Sequence, residues 1–161
     1  MTVTKSPLFH RWREDEAVFI KLSYHPITLD EAKAAVHHLS CGAIAFFEGT
    51  IRRQNVGRDV VALEYEVYES FFYEEIRRIV GEIETQWTIH DIAFLQRLGR
   101  LRVGESGIII AASSVHRSDA LQAVDYAIHE LKKRAPVWKK EFYQNGSAWV
   151  VCRHENDEVH H

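Results

Sequence analysis

Short apolar runs typical of β-strands alternate along this chain with longer stretches of helical periodicity, and this alternation restricts its fold more than any other feature. The strand-like runs are residues 17–23, 42–52 and 60–68, the segments IHDIAFLQRLG and ESGIIIAASS, and the closing segments PVWKKEFY and SAWVVC. Helical stretches begin after Thr28, at about Ser70 and at about Ser118. Because the elements follow no strict βαβ rhythm, the pattern predicts an α+β fold.

Turn and helix signals refine this prediction. The turn Asn55-Val56-Gly57 predicts a long-looped hairpin between runs 42–52 and 60–68, and Asn145-Gly146 predicts a tight closing hairpin. Thr28 and Glu31 form a capping-box pattern at the start of the first helix. Two apolar stripes are predicted to be buried, namely Phe72, Ile76, Val80 and Ile83 in the second helix and Leu121, Val124, Ile128 and Leu131 in the third.

Length and cysteine usage limit the class of protein. A chain of 161 residues with no linker-like segment is expected to form one domain, residues 1–161, with a core at about 17–153 and a polar tail at 154–161. Cys41 and Cys152 lack CxxC spacing, which favours a reducing compartment and argues against a zinc ribbon. No apolar run approaches the ~18 residues of a membrane span. We therefore expect a cytoplasmic protein.

Positive charge is concentrated in an otherwise acidic chain of formal charge −3. Nine of its 20 Lys and Arg residues lie in three segments without an acid, residues 52–58, 116–117 and 132–140. Like charges gathered in this way repel one another unless an anion joins them, which favours a negatively charged substrate. The alternative is that the three segments are ordinary solvated charge on different faces.

Element positions suggest how these cations could act. Lys132 falls at the edge of the apolar stripe of the third helix and is expected to be partly buried, whereas Lys133 points away. Lys132 is then either a reactive amine or a lysine whose aliphatic stem covers the edge of the core. After Pro136, strand alternation places Lys139 and Glu141 together on one face, opposite a face of Trp138, Lys140 and Phe142 that resembles a core face.

The turn before the third helix carries His116 and Arg117, where free backbone N–H groups favour an anion. The glycine patterns of P-loops and Rossmann folds do not occur in the sequence, nor do GxSxG and HExxH. Common nucleotide-binding, serine-hydrolase and zinc-protease functions therefore lack support. The residues alone indicate an α+β enzyme that binds an anion.

Several blocks resemble one known family, the large, catalytic subunit of molybdopterin synthase. They are FEGTIRRQNVGR, LEYEVY, LGRLRVGE, SSVHRSDA and LKKRAPVWKKE followed by WV, in the family's order over roughly residues 42–153. Gln54 and Phe71 depart from the family's usual His and Met. The resemblance implies a single domain like the α/β-hammerhead fold, with antiparallel strands and about three helices.

The resemblance also implies a reaction and partners. Sulfur would pass from the C-terminal thiocarboxylate of a small ubiquitin-like carrier subunit to precursor Z, a cyclic pyranopterin monophosphate, to make the molybdopterin dithiolene. The large subunit would form a homodimer within a heterotetramer, with no cofactor, metal, nucleic acid or membrane involved.

Site residues follow from the matching motifs. The resemblance implies catalytic roles for Lys132 and Lys139. The substrate-binding residues that it implies are Thr50, Ile51, Arg52, His116, Arg117, Lys132, Lys139, Lys140 and Glu141, together with Phe47 and Arg153.

Two other functions remain open from the sequence. A non-enzymatic anion- or RNA-binding adaptor domain would use the same cations and would need aromatic residues interleaved with them on an open sheet. A sulfurtransferase that carries persulfide on Cys41 or Cys152 would need an exposed thiol of low pKa.

Overall fold

The structure is a computed structural model that describes residues 8–11, 18–55, 57–135 and 137–152. The helices are α1 (Leu29–Val36), α2 (Glu69–Gln86) and α3 (Arg117–Arg134). The strands are β1 (Leu8–Arg11), β2 (Val18–Ser23), β3 (Ala43–Thr50), β4 (Gln54–Asn55), β5 (Arg58–Glu66), β6 (Asp91–Arg97), β7 (Gly99–Arg102), β8 (Ser106–Ser114), β9 (Val137–Tyr143) and β10 (Gly146–Cys152). This arrangement confirms the predicted α+β class with three helices in the described part of the chain.

The strands form two sheets. The first sheet has the order β1-β2-β6-β8-β3, in which only β2 and β6 run parallel. The second has the order β10-β9-β5-β4, and β7 also pairs with β5. The two sheets meet at Ile51, whose backbone N–H donates to the Glu105 carbonyl over 3.0 Å and whose carbonyl accepts from the Gly104 N–H over 2.9 Å.

Helices cover both faces of the first sheet. Strand alternation explains the division: Ile92, Phe94 and Ile110 belong to the main core, whereas Ala93, Leu95 and Ile109 belong to a smaller one. The main core includes the buried stripes of α2 and α3, and the smaller one includes Ala32 and Val36 of α1. The sheet is therefore the middle of three layers.

Local signals place the helices as the sequence predicts. Thr28 and Glu31 form both hydrogen bonds of the capping box at the start of α1. The Glu31 carboxylate also accepts from the Lys21 ammonium on β2. The four predicted stripe residues of α2 are all buried. At the other end of the chain, β9 and β10 form the predicted closing hairpin, although its turn lies at residues 144–145, one position before the Asn-Gly pair.

Other predictions about pairing and burial are wrong. The runs 42–52 and 60–68 form no hairpin, because β3 pairs with β8 in the first sheet while β5 lies in the second. In α3, Val124 and Leu131 are buried and Ile128 packs against the core, as predicted. Leu121, however, is 59% exposed, because Ala120, Ala123 and Ala127 complete the stripe that faces the core. Within the part of the chain that the structure describes, no helix is long and apolar enough to cross a membrane.

Candidate active site

A buried carboxylate lies at the centre of the candidate site. Glu141 on β9 is 1% exposed and lies on the inner face of the second sheet. Its carboxylate accepts hydrogen bonds from the Asn55 amide over 2.5 Å and from the Tyr143 hydroxyl, and it pairs with the Lys139 ammonium over 3.1 Å. Lys139 and Glu141 therefore share a face, as strand alternation predicts.

These contacts keep Glu141 ionised. Burial by itself raises the pKa of Glu141, but the hydrogen bonds from Tyr143, Lys139 and Asn55 and the charge of Lys139 hold that pKa below its usual value. The hydrogen bond to the same carboxylate, reinforced by burial, raises the pKa of Tyr143. The result is a fixed anion that holds the partly buried Lys139 ammonium in one place.

The end of β3 reaches the same region. Ile51 is buried in a cluster with Leu63 and Leu101, against which Tyr65 packs. Tyr65 is the cross-strand partner of Lys139. Thr50 and Arg52, which flank Ile51, are exposed. We call the region of Thr50, Ile51, Arg52, Lys139 and Glu141, with Lys132 at the end of α3 just before β9, the lysine end of the molecule.

Lys132 belongs to the last turn of α3, immediately before β9. The prediction that it is partly buried is wrong: Lys132 and Lys133 are both exposed. The next cation, Arg134, is paired with acids of α2, at 3.2 Å from the Glu75 carboxylate and also in contact with Glu82. Arg134 is thus neutralised within the fold and does not add to a substrate-binding charge.

The outer face of β9 also differs from the prediction. Trp138 is 46% exposed and is not part of a core face, because the buried side of β9 is the one that carries Glu141. The Lys140 ammonium lies 5.4 Å from the ring centre of Phe142 and 5.5 Å from that of Trp149. Lys140 therefore points away from Lys139, onto an exposed aromatic surface.

His116 and Arg117 lie elsewhere. His116 is the N-cap of α3 and Arg117 its first residue, and both are exposed. The Ser114 hydroxyl donates to the His116 carbonyl and so fixes this turn. We call this pair the histidine end. At 1.5 Å per helical residue, about 22 Å of α3 separates Arg117 from Lys132.

Two predicted residues remain, of which the structure describes only Phe47. Phe47 lies within β3 and packs against the main core. Arg153 lies outside the described residues. Conversely, sequence analysis missed Asn55 and Tyr143 as partners of Glu141. Tyr143 could have been found, since it is two positions along the same strand face, but no local signal links Asn55 to a residue so far along the chain.

Known proteins match this fold and sequence. A family model described as MoaE protein matches residues 22–134. Over 130 residues the chain is 42% identical to the molybdopterin synthase catalytic subunit of Homo sapiens, a match that covers 81% of this chain and 69% of that protein. The crystal structure of molybdopterin synthase from Staphylococcus aureus is 32% identical with a TM-score of 0.75, over 80% of this chain and 94% of the other.

A more distant structure shares the fold alone. It is a complex of subunits 1 and 2 of molybdopterin-converting factor from Helicobacter pylori, 21% identical, with a TM-score of 0.60 over 75% of this chain and 77% of that chain. The family model spans well over half of this sequence and includes the end of β3, the histidine end and Lys132. The resemblance that the sequence motifs indicate is thus confirmed, and this chain belongs to the MoaE protein family.

Proposed function

We propose that this chain is the catalytic subunit of a molybdopterin synthase, a cytoplasmic sulfurtransferase. Its substrate is precursor Z, its sulfur donor is the thiocarboxylate of a small ubiquitin-like carrier subunit, and its product carries the molybdopterin dithiolene. Membership of the MoaE family and the 42% identity to a molybdopterin synthase catalytic subunit support this function. The structural observation that carries it is the Lys139–Glu141 pair at the lysine end.

The pair suits a reaction between two anions. A thiocarboxylate and a cyclic phosphate both carry negative charge, so a cation must be held between them. Lys139 pairs with one carboxylate, Glu141, which Asn55 and Tyr143 keep in place, so its ammonium keeps N–H donors for a substrate anion; Arg134, by contrast, is held by three carboxylates. Because the Lys139 side chain is only 18% exposed, its charge is screened less by water than that of a surface lysine.

Sulfur transfer then requires one bond to form and one to break at each step. The carrier's sulfur forms a C–S bond to a carbon of the pterin side chain while a C–O bond of that carbon breaks, and the oxygen leaves as water or as the phosphate of the opening ring. The acyl C–S bond of the carrier then breaks, which leaves a thiolate on the pterin. Water, or the amine of Lys132 as an acyl acceptor, takes the acyl group, and a lysine ammonium supplies the proton that the leaving group needs. Lys132, exposed at the end of α3, is accessible to a carrier's C-terminal tail.

The distance between the two ends bears on how the site is assembled. Arg117 and Lys132 of one copy lie about 22 Å apart along α3. A homodimer would bring the two groups together if the histidine end of one copy lies next to the lysine end of its partner. We therefore propose that each site combines Lys132 and Lys139 of one protomer with His116 and Arg117 of the other.

Two experiments test this function. The purified protein, mixed with thiocarboxylated carrier and precursor Z, is expected to produce molybdopterin; no product with a loaded carrier would refute the function. A mixed dimer of Lys132→Ala and His116→Ala/Arg117→Ala protomers then tests the shared site. It should regain about half the wild-type activity, because one of its two sites is intact, whereas sites contained within one copy would leave it inactive.

One observation favours the adaptor alternative. Trp138 and Trp149 are about half exposed beside Lys140, as an RNA-binding surface would need. However, Glu66 and Glu64 lie opposite Trp138 and Lys140 in the neighbouring strand, and their carboxylates would repel phosphates. We expect no salt-sensitive binding of a single-stranded RNA oligonucleotide; binding that Trp138→Ala abolishes would support the adaptor function.

A further inference from the structure

A cluster of metal-binding side chains lies outside the lysine end. His38 and Cys41 are in the turn that follows α1, and His90 directly precedes β6. One potential ligand atom from each of the three residues lies within 4.8 Å of the other two. The His38 and His90 rings stack with their centres 4.0 Å apart, and the Cys41 N–H donates to the His38 carbonyl over 3.0 Å. The backbone thus folds Cys41 back toward the two imidazoles.

Hydrogen bonds orient both rings. The Nδ1 of His90 lies 2.8 Å from the Asp91 carboxylate, and the Nδ1 of His38 lies 2.6 Å from the Ser40 hydroxyl. The His90 Nδ1 donates to the Asp91 carboxylate, which leaves the His90 Nε2 with a lone pair. The His38 Nδ1 accepts from the Ser40 N–H over 3.1 Å and so holds the lone pair itself, and His38 would reach an ion through Nδ1 once its ring turns away from Ser40. A carboxylate behind a histidine is the usual outer partner of a metal-bound imidazole, which it orients and makes more basic.

We propose that His38, Cys41 and His90 bind a zinc ion. One thiolate and two neutral imidazoles form a mixed sulfur and nitrogen set, which suits Zn²⁺ and excludes the hard cations Mg²⁺ and Ca²⁺. Ligand atoms of a tetrahedral zinc site lie about 3.5 Å from one another. Side-chain rotations that move the ligand atoms by about 1 Å would therefore bring all three to bonding distance of one ion. Water takes the fourth position.

The site would join parts of the fold that are distant in sequence. The ion would connect the α1–β3 turn to the start of β6, where the His90 N–H donates to the Ser113 carbonyl over 2.7 Å. The same turn closely approaches the residue after β8 at Gly42, where a Cβ would lie 2.7 Å from the Val115 carbonyl oxygen. Val115 directly precedes the histidine end. Bound zinc would therefore fix the α1–β3 turn next to the histidine end and raise the melting temperature. This stabilisation does not depend on the proposed reaction.

The test uses the full chain, freed of metal with a chelator and titrated with Zn²⁺ or Co²⁺ alone. We expect one Zn²⁺ per chain, a higher melting temperature on binding, and a thiolate-to-cobalt charge-transfer band. Cys41→Ser should abolish this band and weaken Zn²⁺ binding by more than about tenfold, while Cys152→Ser, the matched thiol control, should change neither. Asp91→Asn should keep the band but weaken binding by about 10- to 100-fold.

The histidines near the C-terminus need their own control, because they could bind metal themselves. A His154→Ala/His160→Ala/His161→Ala variant should retain the cobalt band and the zinc-induced rise in melting temperature. Loss of both in that variant, a band that survives Cys41→Ser, or no thiolate band at all would overturn the proposal.

Discussion

Glu141→Gln isolates the buried carboxylate that holds Lys139. Removing one partner of a buried ion pair costs about 3–5 kcal/mol. The Lys139 side chain retains 18% of its surface in solvent, and a glutamine still offers one acceptor oxygen, so a loss of about 2–3 kcal/mol is expected. For a chain of this length each kcal/mol corresponds to about 2–4 °C, which gives a melting temperature lower by about 4–12 °C.

The pH dependence of this loss provides a sharper signature. Because the folded state lowers the pKa of Glu141 from 4.5, the ionised carboxylate stabilises the fold fully above that value. This stabilisation disappears as the pH falls from the unfolded pKa through the lowered folded one. The difference in unfolding free energy between wild type and Glu141→Gln should therefore be largest near neutral pH and shrink in acid.

Urea unfolding followed by tryptophan fluorescence at fixed protein concentration measures this difference between about pH 7 and about pH 3.5. Glu66→Gln, at an exposed position on β5, is the control and should change stability by less than about 0.5 kcal/mol. A Glu141→Gln loss that stays the same across this pH range would refute the assignment of Glu141 as a stabilising anion. So would a loss no larger than that of the control.

The other predictions concern activity and the first helix. Lys132→Ala should abolish molybdopterin formation in the reconstituted assay, whereas Lys133→Ala, which removes the same charge from the same exposed turn, should retain it; equal losses would mean that local charge alone matters. Arg117→Ala should weaken substrate binding by about 1.5–3 kcal/mol, measured calorimetrically, with a smaller effect on the chemical step. Glu31→Gln removes the carboxylate of the capping box and a partner of Lys21, and should lower the unfolding free energy by about 1 kcal/mol or more.

Sequence alone determined the elements whose signals are local. The capping box of Thr28 and Glu31 starts α1, and the spacing of Phe72, Ile76 and Val80 identifies the buried side of α2. Such features depend on neighbours within one helical turn, so periodicity is sufficient to find them. The family motifs likewise identified the family, because they are read directly along the chain.

Tertiary structure decided which side of β9 is buried and which cations remain available. Alternation placed Lys139 with Glu141, but only the packing of β9 against β5 and the distant Asn55 shows that this is the inner side. No local signal places β3 and β5 in different sheets, because the strand that pairs with β3 is β8, far along the chain.

Contacts between residues far apart in the sequence also determine which cations are neutralised and which metal-binding side chains meet. Arg134 belongs to a basic run in the sequence, yet acids of α2 neutralise it. His90 is far from His38 and Cys41 along the chain and meets them only because β6 begins beside the α1–β3 turn. A sequence records which side chains are present within a turn or a strand; which distant ones meet depends on the free energy of packing the whole fold, in which no single local signal dominates.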